Sequence, residues 1–269
     1  MYKLIALDMD GTLLNSSKEI SERTKLAIKE ARKKGVYVVL ASGRPLEGLL
    51  KSLNELDLTT ENDYVLSYNG CLVQNVKTRE VISDLTLRGA DLNDLYSLSK
   101  KVGVNIHSFS KDRGLITPKH SKYTQVEADI NDIDINIVPH DDIDPEEIIV
   151  KVMMIDEPEI LDEGMSKLPK ELWEKYSVAK STPYFLEFFN KESNKGLALD
   201  RLANHLGIKK EEIITMGDAM NDFPMIEYAG MGIAMGNAVP EIKEIANYIT
   251  DTNDNDGVAK AIEKFVLGL

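Results

Sequence analysis

The stretch Lys3-Leu4-Ile5-Ala6-Leu7-Asp8-Met9-Asp10-Gly11-Thr12 decides how the chain folds. Lys3–Leu7 reads as a short β-rich run that stops abruptly at polar residues, the pattern of a strand leaving a sheet. Asp8 and Asp10 leave that strand end together. Gly11 lets the backbone turn sharply close to a ligand. In such a pair, one carboxylate can act as nucleophile while the other serves as general acid and base.

The same alternation continues outward. Ser21–Lys34 has helical spacing, with Ser21 as N-cap and Gly35 as stop. Tyr37–Leu40 is a second apolar strand, followed by Ala41-Ser42-Gly43-Arg44-Pro45. Pro45 suits the first turn of a helix running to about Leu56. Tyr64–Tyr68 is a third strand, ending at the turn signal Asn69-Gly70. In the last third, Asn194 caps a helix from Lys195 to Leu206. Glu212–Met216 is a strand ending in Gly217-Asp218, and Asp222–Ala229 is a short helix. Met231–Ala234 is extended, Pro240–Ala246 helical, Tyr248–Thr250 extended and Val258–Leu267 helical. Apolar strands alternating with amphipathic helices predict an α/β fold with a parallel, doubly wound, Rossmann-like sheet.

The middle of the chain is less regular. Strand-like runs are Asn105–Phe109, Leu115–Thr117, Ile149–Ile155, Ser177–Ala179 and Phe185–Phe189, with helices at Asp91–Val102 and Pro158–Leu168. Acidic stretches at Asp129–Asp134 and Pro139–Glu147 read as loops. The expected organisation is a core domain in two parts, residues 1–82 and 191–269, interrupted by an α+β domain at 83–190.

Four polar clusters fall at carboxyl ends of strands or at helix starts, where open α/β sheets bind ligands. The first is Asp8-Met9-Asp10-Gly11-Thr12. The second, Ser42-Gly43-Arg44, offers a hydroxyl and a glycine N–H to phosphate oxygens. The third, Asn194-Lys195-Gly196, places a lysine where the helix dipole disfavours it. The fourth is Gly217-Asp218-Ala219-Met220-Asn221-Asp222, whose strand-end Asp218 suits a hard cation. Taken singly, each also fits an ordinary turn, cap or surface residue.

Composition narrows the choice. The 269 residues are 43% hydrophobic and 29% charged, a globular balance. No stretch approaches the roughly 18–20 apolar residues of a membrane helix. The N-terminal apolar run is too short for a signal peptide, so the expected location is the cytoplasm. The single cysteine, Cys71, excludes an internal disulfide. A net charge of −13 repels nucleic acid and anionic membranes, so neither is an expected partner. A small phosphate ester is also an anion and needs a local cation. The four histidines lack metal-ligand spacing, which speaks against zinc.

In order and strand position, the four clusters resemble the four motifs of the haloacid dehalogenase-like hydrolases. The second carries Ser42 where Thr is commoner, which preserves the hydroxyl. Asp8-Met9-Asp10-Gly11-Thr12-Leu13-Leu14, Ser42-Gly43-Arg44-Pro45, Tyr68-Asn69-Gly70 and the Gly217–Asp222 cluster look like the Cof-type branch, subfamily IIB. Lys151–Pro158 and Pro183–Glu187 are similar to sugar phosphatases of that branch. The insertion lies where the family carries its C2-type cap. Cap closure would exclude water and select the leaving group. Tyr123, His107 and Arg113 are possible contacts there.

The resemblance implies a magnesium-dependent phosphatase acting on small phosphate esters, sugar phosphates foremost, as a monomer or homodimer. It implies that Asp8 attacks phosphorus and becomes the aspartyl phosphate, with Asp10 as general acid and base. Mg²⁺ would be held by Asp8, the Asp10 backbone carbonyl and Asp218. Lys195 would neutralise Asp8 and the phosphoryl oxygens, which Ser42 and the N–H groups of Met9 and Gly43 would bind. Asn221 would touch phosphate or a metal-bound water, Asp222 would orient Lys195 or the metal shell, and Arg44 would contact substrate. Two alternatives stand beside this: a phosphomutase, and a phosphate-binding regulatory protein without turnover.

Overall fold

The computed structural model describes all 269 residues, Met1–Leu269. They form two compact units, Met1–Asp84 with Asn194–Leu269, and Leu85–Ser193. The first unit supplies strands β1 (Leu4–Leu7), β2 (Tyr37–Ala41), β3 (Tyr64–Ser67), β4 (Leu72–Asn75) and β5 (Val81–Asp84). The second supplies β6 (Leu87–Arg88), β7 (Asn105–Ser110), β8 (Gly114–Thr117), β9 (Ile135–Ile137), β10 (Ile148–Ile155), β11 (Tyr176–Thr182) and β12 (Phe185–Asn190). The chain then returns to the first unit with β13 (Ile213–Gly217), β14 (Met231–Ala234) and β15 (Tyr248–Ile249).

The sheet of the first unit runs β15-β14-β13-β1-β2-β3-β4-β5. It is parallel from β15 to β3 and antiparallel from β3 to β5. Strand β1 shows why. Ile5 and Leu7 enter one apolar cluster, Leu4 and Ala6 another, and all four are fully buried. A strand apolar on both faces needs cover on both, which parallel sheets obtain from helices. Each buried leucine or isoleucine there contributes roughly 1.5–3 kcal/mol. On one face lie Ile28 and Ala31 of the helix Glu22–Lys33 and Val258 of the helix Gly257–Ile262. On the other lie Leu199 and Leu202 of the helix Lys195–Leu206. Ser21 and Asn194 cap two of these helices, accepting from the N–H groups of Thr24 and Leu197. The predicted doubly wound α/β architecture is therefore the observed one.

The second unit is a mixed sheet in the order β11-β12-β10-β7-β8-β9, with β6 beside β10. Its pairs are antiparallel except β8 with β9. Leu92 and Leu95 of the helix Gly89–Val102 and Leu161 of the helix Pro158–Ser166 pack with Ile106, Ile149, Val152, Met154 and Phe188. No helix in the protein is long and apolar enough to cross a membrane.

The structure corrects two local expectations and adds two strands that the sequence does not announce. Pro45 does not open a helix. A single 3-10 turn at Glu47–Leu49 precedes the helix Leu50–Glu55, and neither segment has a side-chain cap. The acidic stretch at 129–134 is partly helical, because the helix Lys122–Asn131 runs into it and ends at Asp132, whose φ is 53°. That helix buries Tyr123, Thr124, Glu127, Ala128 and Asn131, a mostly polar face that leaves no apolar periodicity to read. The short antiparallel strands β4 and β5 also carry polar residues at Gln74, Asn75, Ser83 and Asp84 and give no strong strand signal.

Candidate active site

Leu7 of β1 pairs in register with Leu40 of β2 on one side and Met216 of β13 on the other. Because the three strands are parallel, the segments after them emerge at one edge of the sheet. These are Asp8–Thr12, Ser42–Arg44 and Asp218–Asp222. The fourth cluster arrives on a helix. Gly196 lets that helix approach closely, since a Cβ there would lie 2.4 Å from the Pro224 carbonyl oxygen.

Lys195 is fully buried, and its ammonium donates to Asp8 Oδ1 at 2.6 Å and Asp222 Oδ1 at 2.7 Å. Burial alone would push its pKa down, but the two carboxylates outweigh it and raise the value, so the ammonium stays charged. Asp8 is also buried. Burial pushes its pKa up, Lys195 pulls it down and the Asp222 charge pushes up again, leaving Asp8 at about 7. Asp222 has no oxygen to spare. Its Oδ2 accepts from the N–H groups of Asp218 at 2.9 Å and Ala219 at 3.1 Å.

Asp218 accepts from the Thr12 hydroxyl at 2.8 Å through Oδ1. Burial raises its pKa, and the Thr12 bond opposes the rise. It packs directly on Gly11, where a Cβ would sit 2.4 Å from Asp218 Oδ2 and φ is +87°. Gly11 thus has two reasons to lack a side chain, a left-handed backbone and the carboxylate above it. Asn237 holds the loop by donating to the Gly11 carbonyl at 2.8 Å.

Asp10 stands at the exposed rim. Arg44 bonds both of its oxygens, at 2.9 and 2.8 Å, and Lys18 bonds Oδ1 at 2.8 Å. Burial pushes this carboxyl up, but the Lys18 bond and the Arg44 charge outweigh it and hold Asp10 below the usual range. Ser42 is buried and accepts from the Arg44 N–H at 3.2 Å. The N–H groups of Met9 and Gly43 make no hydrogen bond within the chain. Asn221 donates to Asn69 Oδ1 at 3.1 Å.

Carboxylate oxygens of Asp8, Asp218 and Asp222 lie within 4.8 Å of one another, a grouping that can hold a metal ion. Asp222 is committed to Lys195 and two backbone donors. Asp8 and Asp218 each keep one oxygen without a partner in the chain. Two carboxylates, each with an oxygen to offer, fit a small hard cation. The donor set is all oxygen, which disfavours softer metals.

All the residues singled out from the four clusters belong to this edge of the first unit. Tyr123, His107 and Arg113 are tied up inside the second unit. His107 is fully buried, Tyr123 stacks on Tyr184 with ring centroids 4.7 Å apart, and Arg113 pairs with Glu147. Sequence reasoning missed Thr12, Lys18, Asn69 and Asn237 as parts of the site. Thr12 lies in the first polar cluster and Asn69 in a turn signal, and neither is given a role there. Lys18 and Asn237 carry no local signal.

Residues 5–262 match the family described as haloacid dehalogenase-like hydrolase. YxeH of Bacillus subtilis (strain 168), named as a candidate phosphatase, is 44% identical over 269 residues, covering 99% of each chain. A haloacid dehalogenase-like hydrolase from Bacteroides thetaiotaomicron superposes with a TM-score of 0.86 at 37% identity, covering 98% of this chain and 99% of that one. The HAD subclass IIB sugar phosphatase BT4131 gives 0.76 at 25% identity, covering 98% of both. With these likenesses running from end to end and the acidic site at the sheet edge, the chain belongs to the haloacid dehalogenase-like hydrolases and is a phosphatase.

Proposed function

We propose that the chain hydrolyses phosphate monoesters of small metabolites, sugar phosphates foremost, through an aspartyl phosphate on Asp8 with Mg²⁺ as cofactor. The observation that carries this reading is the buried contact of Lys195 with Asp8, beside a second carboxyl at Asp10. A site that merely bound phosphate would need the cation but not a nucleophile paired with an acid.

An Asp8 oxygen attacks phosphorus in line with the ester oxygen. The P–O bond to the leaving group breaks, and the departing oxygen takes its proton from Asp10. Water then attacks the aspartyl phosphate and gives a proton to Asp10, which restores the Asp8 carboxylate and releases phosphate. Lys195, Ser42 and the N–H groups of Met9 and Gly43 surround the phosphoryl oxygens and offset their charge. Arg44 and Lys18 hold Asp10 ionised in the free enzyme. An incoming phosphoryl group competes for Arg44 and returns Asp10 toward the protonated form that an acid needs.

Asp8, Asp218 and the Asp10 carbonyl would hold Mg²⁺, which would supply charge neutralisation at the phosphoryl group. Asp222 then has the positioning role its hydrogen bonds suggest, holding Lys195 on one side and the Asp218 turn on the other. The unit Leu85–Ser193 is read as the cap that sets leaving-group preference.

The test is phosphate release from a chromogenic ester with Mg²⁺. Asp8→Asn should abolish turnover, and retained turnover would refute the nucleophile assignment. A panel of sugar phosphates, nucleotides and cofactor phosphates then ranks the substrates.

A further inference from the structure

The turn Tyr68–Gly70, just after β3, is built at a cost that its own sequence does not explain. Tyr68, Asn69 and Gly70 have φ of 51°, 56° and 92°, three left-handed residues in a row. Asn tolerates that region and Gly prefers it, but a tyrosine there is strained. Such a run persists only where its surroundings over-determine it, and strain of this kind clusters at functional sites.

The surroundings here are the other clusters of the site. The Asn69 N–H donates to the Ser42 carbonyl at 2.8 Å, and the Tyr68 N–H to the Arg44 carbonyl at 3.1 Å. A Cβ on Gly70 would lie 2.5 Å from the carbonyl oxygen of Asn194, the residue that caps the Lys195 helix. Asn69 Oδ1 accepts from Asn221, and a Cβ on Gly43 would meet Asn69 Nδ2 at 3.2 Å. One short turn therefore touches the Ser42–Arg44 loop, the start of the Lys195 helix and the Asn221 loop. Those three segments carry Ser42, Gly43, Lys195 and Asn221.

We propose that Asn69 is a positioning residue for the phosphoryl site, its side chain fixing the Asn221 amide while its backbone holds the Ser42–Arg44 loop. An amide with a dedicated acceptor on its nitrogen has its oxygen directed the other way. Without Asn69, the Asn221 side chain is free to rotate. The inference rests on the proposed phosphatase reading and extends it by one residue and one role.

Asn69→Gly separates this role from that of an ordinary turn residue, because glycine adopts the left-handed backbone without strain. If Asn69 acts through Asn221, Asn69→Gly keeps or raises the melting temperature. It also lowers kcat/KM about tenfold and weakens orthovanadate binding, measured by calorimetry with Mg²⁺, by a similar factor. Asn221→Ala gives the same losses, and the double variant is no worse than either single one. Wild-type kinetics and vanadate affinity in Asn69→Gly, or multiplying losses in the double variant, overturn the proposal. If the wild type turns over, Asp8→Asn does not and Asn69→Gly matches the wild type, only this inference falls. If the wild type releases no phosphate from any ester, the phosphatase reading falls and takes the inference with it.

Discussion

Lys195 and Asp8 stand 187 positions apart in the chain, yet the ammonium of one lies 2.6 Å from the carboxylate of the other. A buried lysine ammonium is costly to desolvate, and two carboxylates repay that cost here only because both reach it. Asp222 is the second, at 2.7 Å and with no exposed side-chain surface. The arrangement holds two negative groups against one positive group inside the protein. Burial, together with an Asp222 charge that pushes the same way, outweighs Lys195 and puts Asp8 at about 7 rather than in the usual carboxylate range.

Asp222 is therefore expected to be structural as well as functional. Asp222→Ala strands the Lys195 ammonium with a single partner and frees the N–H groups of Asp218 and Ala219. Breaking one side of a buried ion pair typically costs about 3–5 kcal/mol, and the surviving Asp8 contact argues for the lower end. Urea unfolding of the metal-free protein should show a loss of about 3 kcal/mol. A loss under about 1 kcal/mol would mean that the triad contributes little to the fold.

Asp10 should behave in the opposite way. Its side chain is 42% exposed, and its partners Arg44 and Lys18 are 38% and 65% exposed. Exposed pairs contribute about 0–1 kcal/mol, so Asp10→Asn should leave the melting temperature nearly unchanged. If Asp10 serves as the proposed acid and base, its loss should lower kcat by about 10²–10⁴-fold with KM little altered. A variant that loses affinity for substrate but keeps kcat would remove Asp10 from proton transfer.

The parts of the site that can be read from sequence are those written in a few consecutive residues. Asp8–Thr12 shows a strand ending in carboxylates, and Asn194-Lys195-Gly196 shows a cap, a misplaced lysine and a small residue for close packing. Contacts made by topology cannot be read that way. Thr12 meets Asp218 across 206 residues, and Lys18 reaches Asp10 from a left-handed position with φ of 61°. The helix Lys122–Asn131 escaped notice for a related reason. Its buried face includes Glu127, which pairs with Lys151, so that polar groups stand where apolar ones are expected. Antiparallel β4 and β5 were hidden by polar residues, Gln74 and Asn75 in one and Ser83 and Asp84 in the other.

Metal binding should depend on pH through Asp8. Its folded value of about 7 is raised above the ordinary 3.8, so the folded metal-free protein holds that proton more tightly than the unfolded chain does. The associated stability is fully present below about 3.8 and is lost as pH rises through about 7. A cation needs the deprotonated carboxylate and so acts in the reverse sense. The rise in melting temperature on adding Mg²⁺ should therefore grow from about pH 6 to about pH 8. Asp8→Asn should flatten that dependence. A shift that is equally large at both pH values in the wild type would separate cation binding from Asp8 ionisation.

The second unit should be sensitive to acid for a different reason. His140 is buried against Tyr96, with ring centroids 3.8 Å apart. Burial, helped by the Lys100 charge, pushes its pKa down to about 4. His107 is fully buried between Phe109 and Phe185, and burial with the nearby Lys151 charge holds it well below 6.5. Both rings are thus neutral in the folded protein while the unfolded chain takes up protons near 6.5. Their contribution is intact above that value and is lost as pH falls from 6.5 toward about 4. Thermal unfolding of the metal-free protein should show a midpoint that drops over this interval. The variant carrying His107→Leu and His140→Phe should drop less, because it has no imidazole left to charge. Equal acid sensitivity in the two proteins would place the effect on groups other than these two histidines.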